Sequence, residues 1–214
     1  MIELHHCADA RSFRALWALE ELGLPYRLHL LPFPPRVRAP EYLQLNPLGT
    51  IPLLIDGETR MTESAAIVQY LATRDGPTPL SVEPADPAYG AWLNWLHFGE
   101  ATLTFPQTLV LRYRHLEPKD RRLPQAADDY AKWFLSRLRH VDRSLEQAEH
   151  LCAGRFTAAD ISVGYALLLA RTLKLHEGFS TAVQAYWERL SARPGFLAAK
   201  RAQAGELSVD ALGE

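Results

Sequence analysis

The sequence predicts a chain in two parts, an α/β first third followed by an all-helical remainder. Three observations predict it. Between Asn46 and Tyr70 lie a turn (Asn46-Pro47-Leu48-Gly49), an apolar run (Leu53-Leu54-Ile55), the hairpin signal Asp56-Gly57 and the start of a helix. Upstream, a strand pattern, a helix pattern and a second strand pattern alternate, which joins parallel strands through a right-handed crossover. After Asp86-Pro87, an N-cap residue with proline at the first helical position, every periodic segment is helical.

Composition narrows the function classes. The chain has 214 residues and 48% apolar content, ordinary for a folded globular protein. A net charge of −2 gives no electrostatic basis for nucleic acid or an anionic membrane as a partner. No run approaches the ~18 apolar residues of a spanning helix. Cys7 and Cys152 have neither metal spacing nor a C-x-x-C pattern, and residues 1–6 lack the basic and apolar regions of a signal peptide. A reduced, cytoplasmic protein is expected.

Taken in order, residues 2–6 read as a strand and residues 11–22 as a helix, with Phe13, Leu16, Trp17 and Leu19 on a 3.6-residue period and Gly23 as the stop. Residues 26–31 read as the second strand. Four prolines between Pro32 and Pro40 make a surface loop, and residues 41–45 a single helical turn. The hairpin and a helix over about 63–73 complete a β-α-β-α-β-β-α unit. Asp75-Gly76-Pro77-Thr78-Pro79 cannot carry an element through it, so the domains are residues 1–75, a linker over 76–86, and a helical domain over 87–214. In that domain residues 88 to about 115 read as one long helix bent at Pro106. Residues 124 to about 150 follow with Tyr130, Phe134, Leu138, Val141 and Leu145 on one stripe. Residues 156–173 are apolar nearly all round and so buried. Two shorter helices, over 181–191 and 194–202, precede a polar tail. At the buried helix Thr157 and Asp160 form a capping-box pair worth ~1 kcal/mol, with Phe156 placed to staple onto Ile161.

Two features of the central stretch suit a small peptide with a free carboxylate. Thr62-Glu63-Ser64 puts hydroxyls and unpaired N–H groups at a helix N-terminus. Pro52 stands directly before a strand, where it cannot donate to the ladder. In a cis Ile51–Pro52 bond, the minority form at ~5% of such bonds, the N–H and C=O of Ile51 turn outward to an extended peptide.

The order Asn-Pro-Leu-Gly-x-Ile-Pro-x-Leu, Asp-Gly, Glu-Ser-x-Ala-Ile-x-x-Tyr-Leu resembles the glutathione-binding half of cytosolic glutathione S-transferases of bacterial type. Leu19-Glu20-Glu21-Leu22-Gly23-Leu24-Pro25-Tyr26 resembles the end of that family's first helix, and Phe156-Thr157-Ala158-Ala159-Asp160-Ile161 the opening of its buried sixth. The resemblance implies a thioredoxin-like N-terminal domain, an all-α C-terminal domain, and a cytoplasmic homodimer active in detoxification. It implies glutathione as co-substrate, a small apolar electrophile as second substrate and no metal. Ile51 and Pro52 would hold the cysteinyl part of glutathione, Glu63 and Ser64 its γ-glutamyl end. Trp92 and Trp95 would lie near the subunit contact, and Phe98, Phe105 and Tyr113 would line an electrophile pocket.

The implied reaction is attack of the glutathione thiolate. A free thiol titrates near ~8.5, and lowering that by two pH units takes ~2.7 kcal/mol of selective thiolate stabilisation. Family members supply it at the start of the first helix, where serine in some and cysteine in others stand at the positions of Ala10 and Arg11. Three replacements are in reach: the Arg11 guanidinium, the helix-terminus field and the Ser12 hydroxyl. Arg11 as a solvated residue and Ser12 as a plain N-cap are the bland alternatives. Cys7 is either a mixed-disulfide site or a buried structural residue. His5 and His6 alternate faces of a strand and cannot chelate one metal together. Alternatives to conjugation are glutathione-dependent disulfide or peroxide reduction, and a non-catalytic binding protein of the same fold.

Overall fold

The computed structural model describes residues 1–205. Contacts divide the chain into two compact units, Met1–Gly76 joined by the segment from Ser191 onward, and Pro77–Leu190. Among the described residues no helix is long and apolar enough to cross a membrane.

The first unit contains β1 (Ile2–His6), α1 (Phe13–Leu22), β2 (Tyr26–Leu30), the single turns α2 (Pro35–Arg38) and α3 (Tyr42–Leu45), β3 (Leu53–Asp56), β4 (Thr59–Met61) and α4 (Ser64–Thr73). Its sheet runs β2-β1-β3-β4, with β1 parallel to β2 and antiparallel to β3. This is the predicted thioredoxin-like order. Gly57 turns the β3–β4 hairpin at φ +60°, in the left-handed region where a side chain is strained. α1 ends where Gly23 adopts φ 62°: the Gly23 N–H donates to the Glu20 carbonyl and Leu24 N–H to that of Leu19, which satisfies two orphan carbonyls.

α10 (Pro194–Gln203) packs in this first unit, whereas the sequence expectation gathers residues 87–214 into one helical domain. Phe196 stands edge-on to Phe13 at 5.2 Å and to Trp17 at 5.0 Å. Arg193 makes a two-pronged ion pair with Glu21 at 2.8 Å. The periodicity of a helix reports that it has an apolar face, not which face of the protein receives it. The polar tail expected after residue 202 lies, apart from its first residues, outside the described chain.

The helical unit begins with α5 (Tyr89–His97), but the long helix is not uniform. A π-helical stretch (Phe98–Thr104) follows, then α6 (Phe105–Leu111) and a second π-helical turn (Arg112–Leu116). Pro106 falls in the first turn of α6, where its missing N–H breaks no helical bond. The turn ahead of Pro106, where the sequence predicts a bend, is widened: the Phe105 N–H reaches back to the Glu100 carbonyl. Gly99 lies in that turn because α8 (Ala158–Thr172) crosses there: a Cβ at Gly99 would meet backbone and side-chain atoms of Ser162 at 2.4–2.7 Å. α7 (Pro124–Leu145) buries Ala127, Ala131, Phe134, Leu138, Val141 and Leu145 on one stripe, and α9 (Thr181–Ser191) completes the unit.

The capping box at α8 forms as expected. Ala159 N–H donates to Thr157 Oγ1 at 3.3 Å and Thr157 N–H to Asp160 Oδ2 at 2.8 Å. Asp160 does more than cap. Fully buried, it also accepts from the Tyr186 hydroxyl at 2.7 Å and the Leu151 N–H at 3.2 Å. Burial, with the Asp160 carboxylate beside it, holds Tyr186 well above the usual phenol range, so it stays a donor.

Candidate functional site

Three segments of the first unit meet around the start of α1. The loop from β1 to α1 is the first. Ser12 Oγ accepts from the Cys7 N–H at 3.3 Å and donates to the Cys7 carbonyl at 3.5 Å, and the residue is fully buried. The Ser12 hydroxyl therefore ties the loop to itself, and it neither caps α1 nor reaches solvent. Arg11, its neighbour, is half-buried. Cys7 is fully buried, and burial pushes its thiol up to about 11, so it is protonated and inert at neutral pH. That favours the structural reading of Cys7 over the mixed disulfide.

The loop is held from outside by α10. Asp9 adopts φ 53°, left-handed for a residue with a side chain. Lys200 Nζ binds its two carboxylate oxygens at 2.7 and 2.9 Å, and Gln203 Nε2 donates to Oδ1 at 2.7 Å. The Asp9 N–H returns to Gln203 Oε1 at 3.1 Å. The same oxygen lies 3.0 Å from His6 Nε2, which assigns the proton of that imidazole to Nε2. Burial lowers His6 to about 4, so it is neutral here.

The second segment is Ile51–Pro52, whose peptide bond is cis. Ile51 is buried in an apolar cluster with Cys7, Ala39, Tyr42 and Leu53, against which Ala10 also packs. That cluster sets the β1–α1 loop beside Ile51. The chain just before it is fixed at the Thr50 carbonyl, which accepts from the Tyr42 hydroxyl at 2.9 Å and Asn46 Nδ2 at 2.8 Å. Gly49 serves the same turn, since at φ +60° a Cβ would strike the Arg36 Cβ at 2.7 Å.

The third is the start of α4. Glu63 occupies the N-cap position with an extended backbone and an exposed side chain, while Ser64 is buried. Ser64 Oγ accepts from Arg14 Nη1 at 3.2 Å. Arg14 is fully buried in the first turn of α1, so this bond fastens the two helix starts together. The hydroxyl proton of Ser64 is left to donate elsewhere. Sequence reading passed over Arg14. The signal was available: a lone cation inside Phe13-Arg14-Ala15-Leu16-Trp17, a run otherwise apolar on every face.

Of the three expected pocket aromatics in the helical unit, Phe98 lines a depression of about 390 Å³ with Leu93, Asn94, His97, Ala101 and Thr102. Phe105 and Tyr113 are not among its lining residues; Phe105 is 54% exposed, and the Tyr113 ring lies 5.6 Å from the Arg112 guanidinium. Residues seven apart share a face on an α-helix, but the intervening π-helical stretch turns less per residue and breaks that register. Trp92 and Trp95 are interior, at 1% and 5% exposure, with Trp95 stacked on His140 at 4.7 Å, so neither presents a surface for a subunit contact.

Residues 10–74 match the family model described as glutathione S-transferase, N-terminal domain. Over 98% of its length the chain is 27% identical to glutathione S-transferase 3 of Schizosaccharomyces pombe, covering 91% of that protein. It is 32% identical to glutathione S-transferase hmp2 of Hypomyces subiculosus, over 75% of this chain and 78% of that one. The fold superposes with a TM-score of 0.82 on the glutathione transferase URE2P6 from Phanerochaete chrysosporium, solved in complex with oxidized glutathione. The two are 28% identical, and the match covers 96% of this chain and 97% of that one.

Proposed function

The chain belongs to the glutathione S-transferase family, and we propose that it binds glutathione on the first unit and activates its thiol for attack on a small apolar electrophile. The observation that carries the reading is the convergence of three binding elements at the start of α1. The backbone N–H and C=O of Ile51 are engaged by no other described residue, which suits pairing with the cysteinyl part of the ligand. Glu63 and Ser64, with the first-turn N–H groups of α4, suit its γ-glutamyl end. Arg11 on the β1–α1 loop, with the field of the α1 N-terminus, is assigned the thiolate. Phe98 contributes to electrophile binding. Both cysteines are free and buried, in keeping with a reduced cytoplasmic setting.

Ser64→Ala should weaken glutathione binding by one charge-assisted hydrogen bond, on the order of 1.5–3 kcal/mol. Calorimetric titration of both proteins with glutathione is the check, and equal dissociation constants would overturn the assignment. The burial of Ser12 and the alanine at position 10 favour a second reading, in which the bound thiolate attacks a disulfide or peroxide rather than carbon. Parallel assays with a general aromatic electrophile and a glutathionyl disulfide separate the two.

The homodimer belongs to this reading, since closed two-fold pairs are the commonest homo-oligomers. Its contact must use surface other than the interior Trp92 and Trp95. Sedimentation at micromolar concentration should give twice the 24.1 kDa chain mass; a stable single-chain species contradicts it.

A further inference from the structure

We propose that Glu3, His5 and His29 form a binding site for a borderline divalent transition-metal ion, of which zinc is the test case. Glu3 and His5 are two apart on β1 and so share one face of the sheet. His29 on the edge strand β2 is the register partner of His5, and this places it on that face too. The two imidazoles stack at 4.4 Å with their planes 9° apart. His29 Nε2 lies 2.8 Å from Glu3 Oε2. One ligating atom from each of the three residues falls within 4.8 Å of the other two.

That spacing is near what an ion needs. Tetrahedral zinc with nitrogens and oxygens at about 2.0–2.2 Å holds its donors about 3.3 Å apart. Small side-chain rotations close the difference, and Glu3 and His29 are free to make them, at 39% and 33% side-chain exposure. Two imidazoles and one carboxylate match zinc, copper(II) and nickel(II) better than calcium or magnesium. The fourth position would be left to water.

An ion pair between Glu3 and His29 accounts for those two residues but not for His5. His5 is 7% exposed, and its buried Nε2 has no hydrogen-bond partner among the described residues. A neutral imidazole carries one ring nitrogen with a lone pair, and a carboxylate offers two acceptor oxygens, so both side chains can supply a ligand atom. Arg27 and Arg60 act on Glu3 and His5 respectively and oppose a cation, which weakens the site. The sequence expectation of no metal weighed His5 against His6; the true neighbour of His5 is 24 positions away, across the β1–β2 register. This site is independent of the glutathione reading.

The test is calorimetric titration of the whole protein with zinc chloride in a non-coordinating buffer. One ion per chain at a micromolar dissociation constant is expected. Glu3→Gln and His29→Asn, both at partly exposed positions, should each weaken binding at least tenfold, while His115→Asn on the helical unit leaves it unchanged. Cobalt(II) gives a second readout on the unaltered chain: intense visible bands of a four-coordinate ion support the site, and the pale spectrum of a six-coordinate ion overturns it. Zinc affinity no tighter than millimolar, or affinity unchanged in both variants, also overturns it.

Discussion

Replacing Asp160 with alanine is expected to cost the fold about 4–6 kcal/mol, read as a fall in urea-unfolding stability. The carboxylate is fully buried and accepts four hydrogen bonds at 2.7–3.3 Å, from Tyr186 Oη, Thr157 N, Thr157 Oγ1 and Leu151 N. Alanine leaves these donors without their acceptor, each toward the lower end of ~1–3 kcal/mol, and removes one arm of a cap worth ~1 kcal/mol. Thr157→Ala, which loses the other arm and the long hydroxyl bond to Asp160, should cost about 1 kcal/mol. Asp160→Asn keeps one acceptor oxygen but turns an NH₂ toward the donors, so it should fall between the two. A loss below about 2 kcal/mol for the alanine variant, at unchanged denaturant slope, would show that water or a relaxed loop replaces the carboxylate.

Arg11→Ala is expected to raise the pKa of bound glutathione and slow turnover at pH 7. Removing a charge-assisted contact of roughly 1.5–3 kcal/mol moves the thiol titration upward by about one to two pH units. On that assignment the variant loses thiolate only by its raised midpoint, so activity lost at pH 7 should return as pH rises past the new midpoint. Ser12→Ala should behave differently. Its hydroxyl is buried and bonded to both the N–H and the carbonyl of Cys7, so the variant should lose about 1 kcal/mol of stability and keep the titration in place. Thiolate absorbance in the ultraviolet against pH, with glutathione saturating, compares all three proteins. If Ser12→Ala moves the midpoint and Arg11→Ala does not, the loop rearranges on binding and the roles are exchanged. If the unaltered protein shows no depressed thiol pKa, conjugation is not its chemistry.

Features written into local sequence were the legible ones. Asp56-Gly57 marks the hairpin, Gly23 the stop of α1 and Thr157 with Asp160 the start of α8, because each works through backbone bonds to residues a few positions away. What depends on direction or distant partners was not legible. The sequence shows a hydroxyl near the start of α1, but not that Ser12 faces inward toward Cys7. It shows a proline in a long helix, but not that a π-helical stretch precedes it and that Phe105 is left 54% exposed. Trp92 and Trp95 are as compatible with an interior as with an interface until α7 supplies His140. Arg14 finds Ser64 fifty residues on, and the apolar face of α10 finds Phe13 and Trp17.

The return of α10 to the first unit also sets an order of events during synthesis. The helical unit is one unbroken stretch and has all of its parts once residue 190 has left the ribosome. The first unit does not: between Gly76 and Ser191 lie 114 residues, about 6–23 s of translation at ~5–20 residues per second. During that interval Phe13 and Trp17 lack the ring of Phe196. Asp9, in its left-handed conformation, lacks Lys200 and Gln203. Until the last helix arrives, the nascent chain lacks both the ring that covers Phe13 and Trp17 and the latch of the β1–α1 loop, and one helix closes the two together.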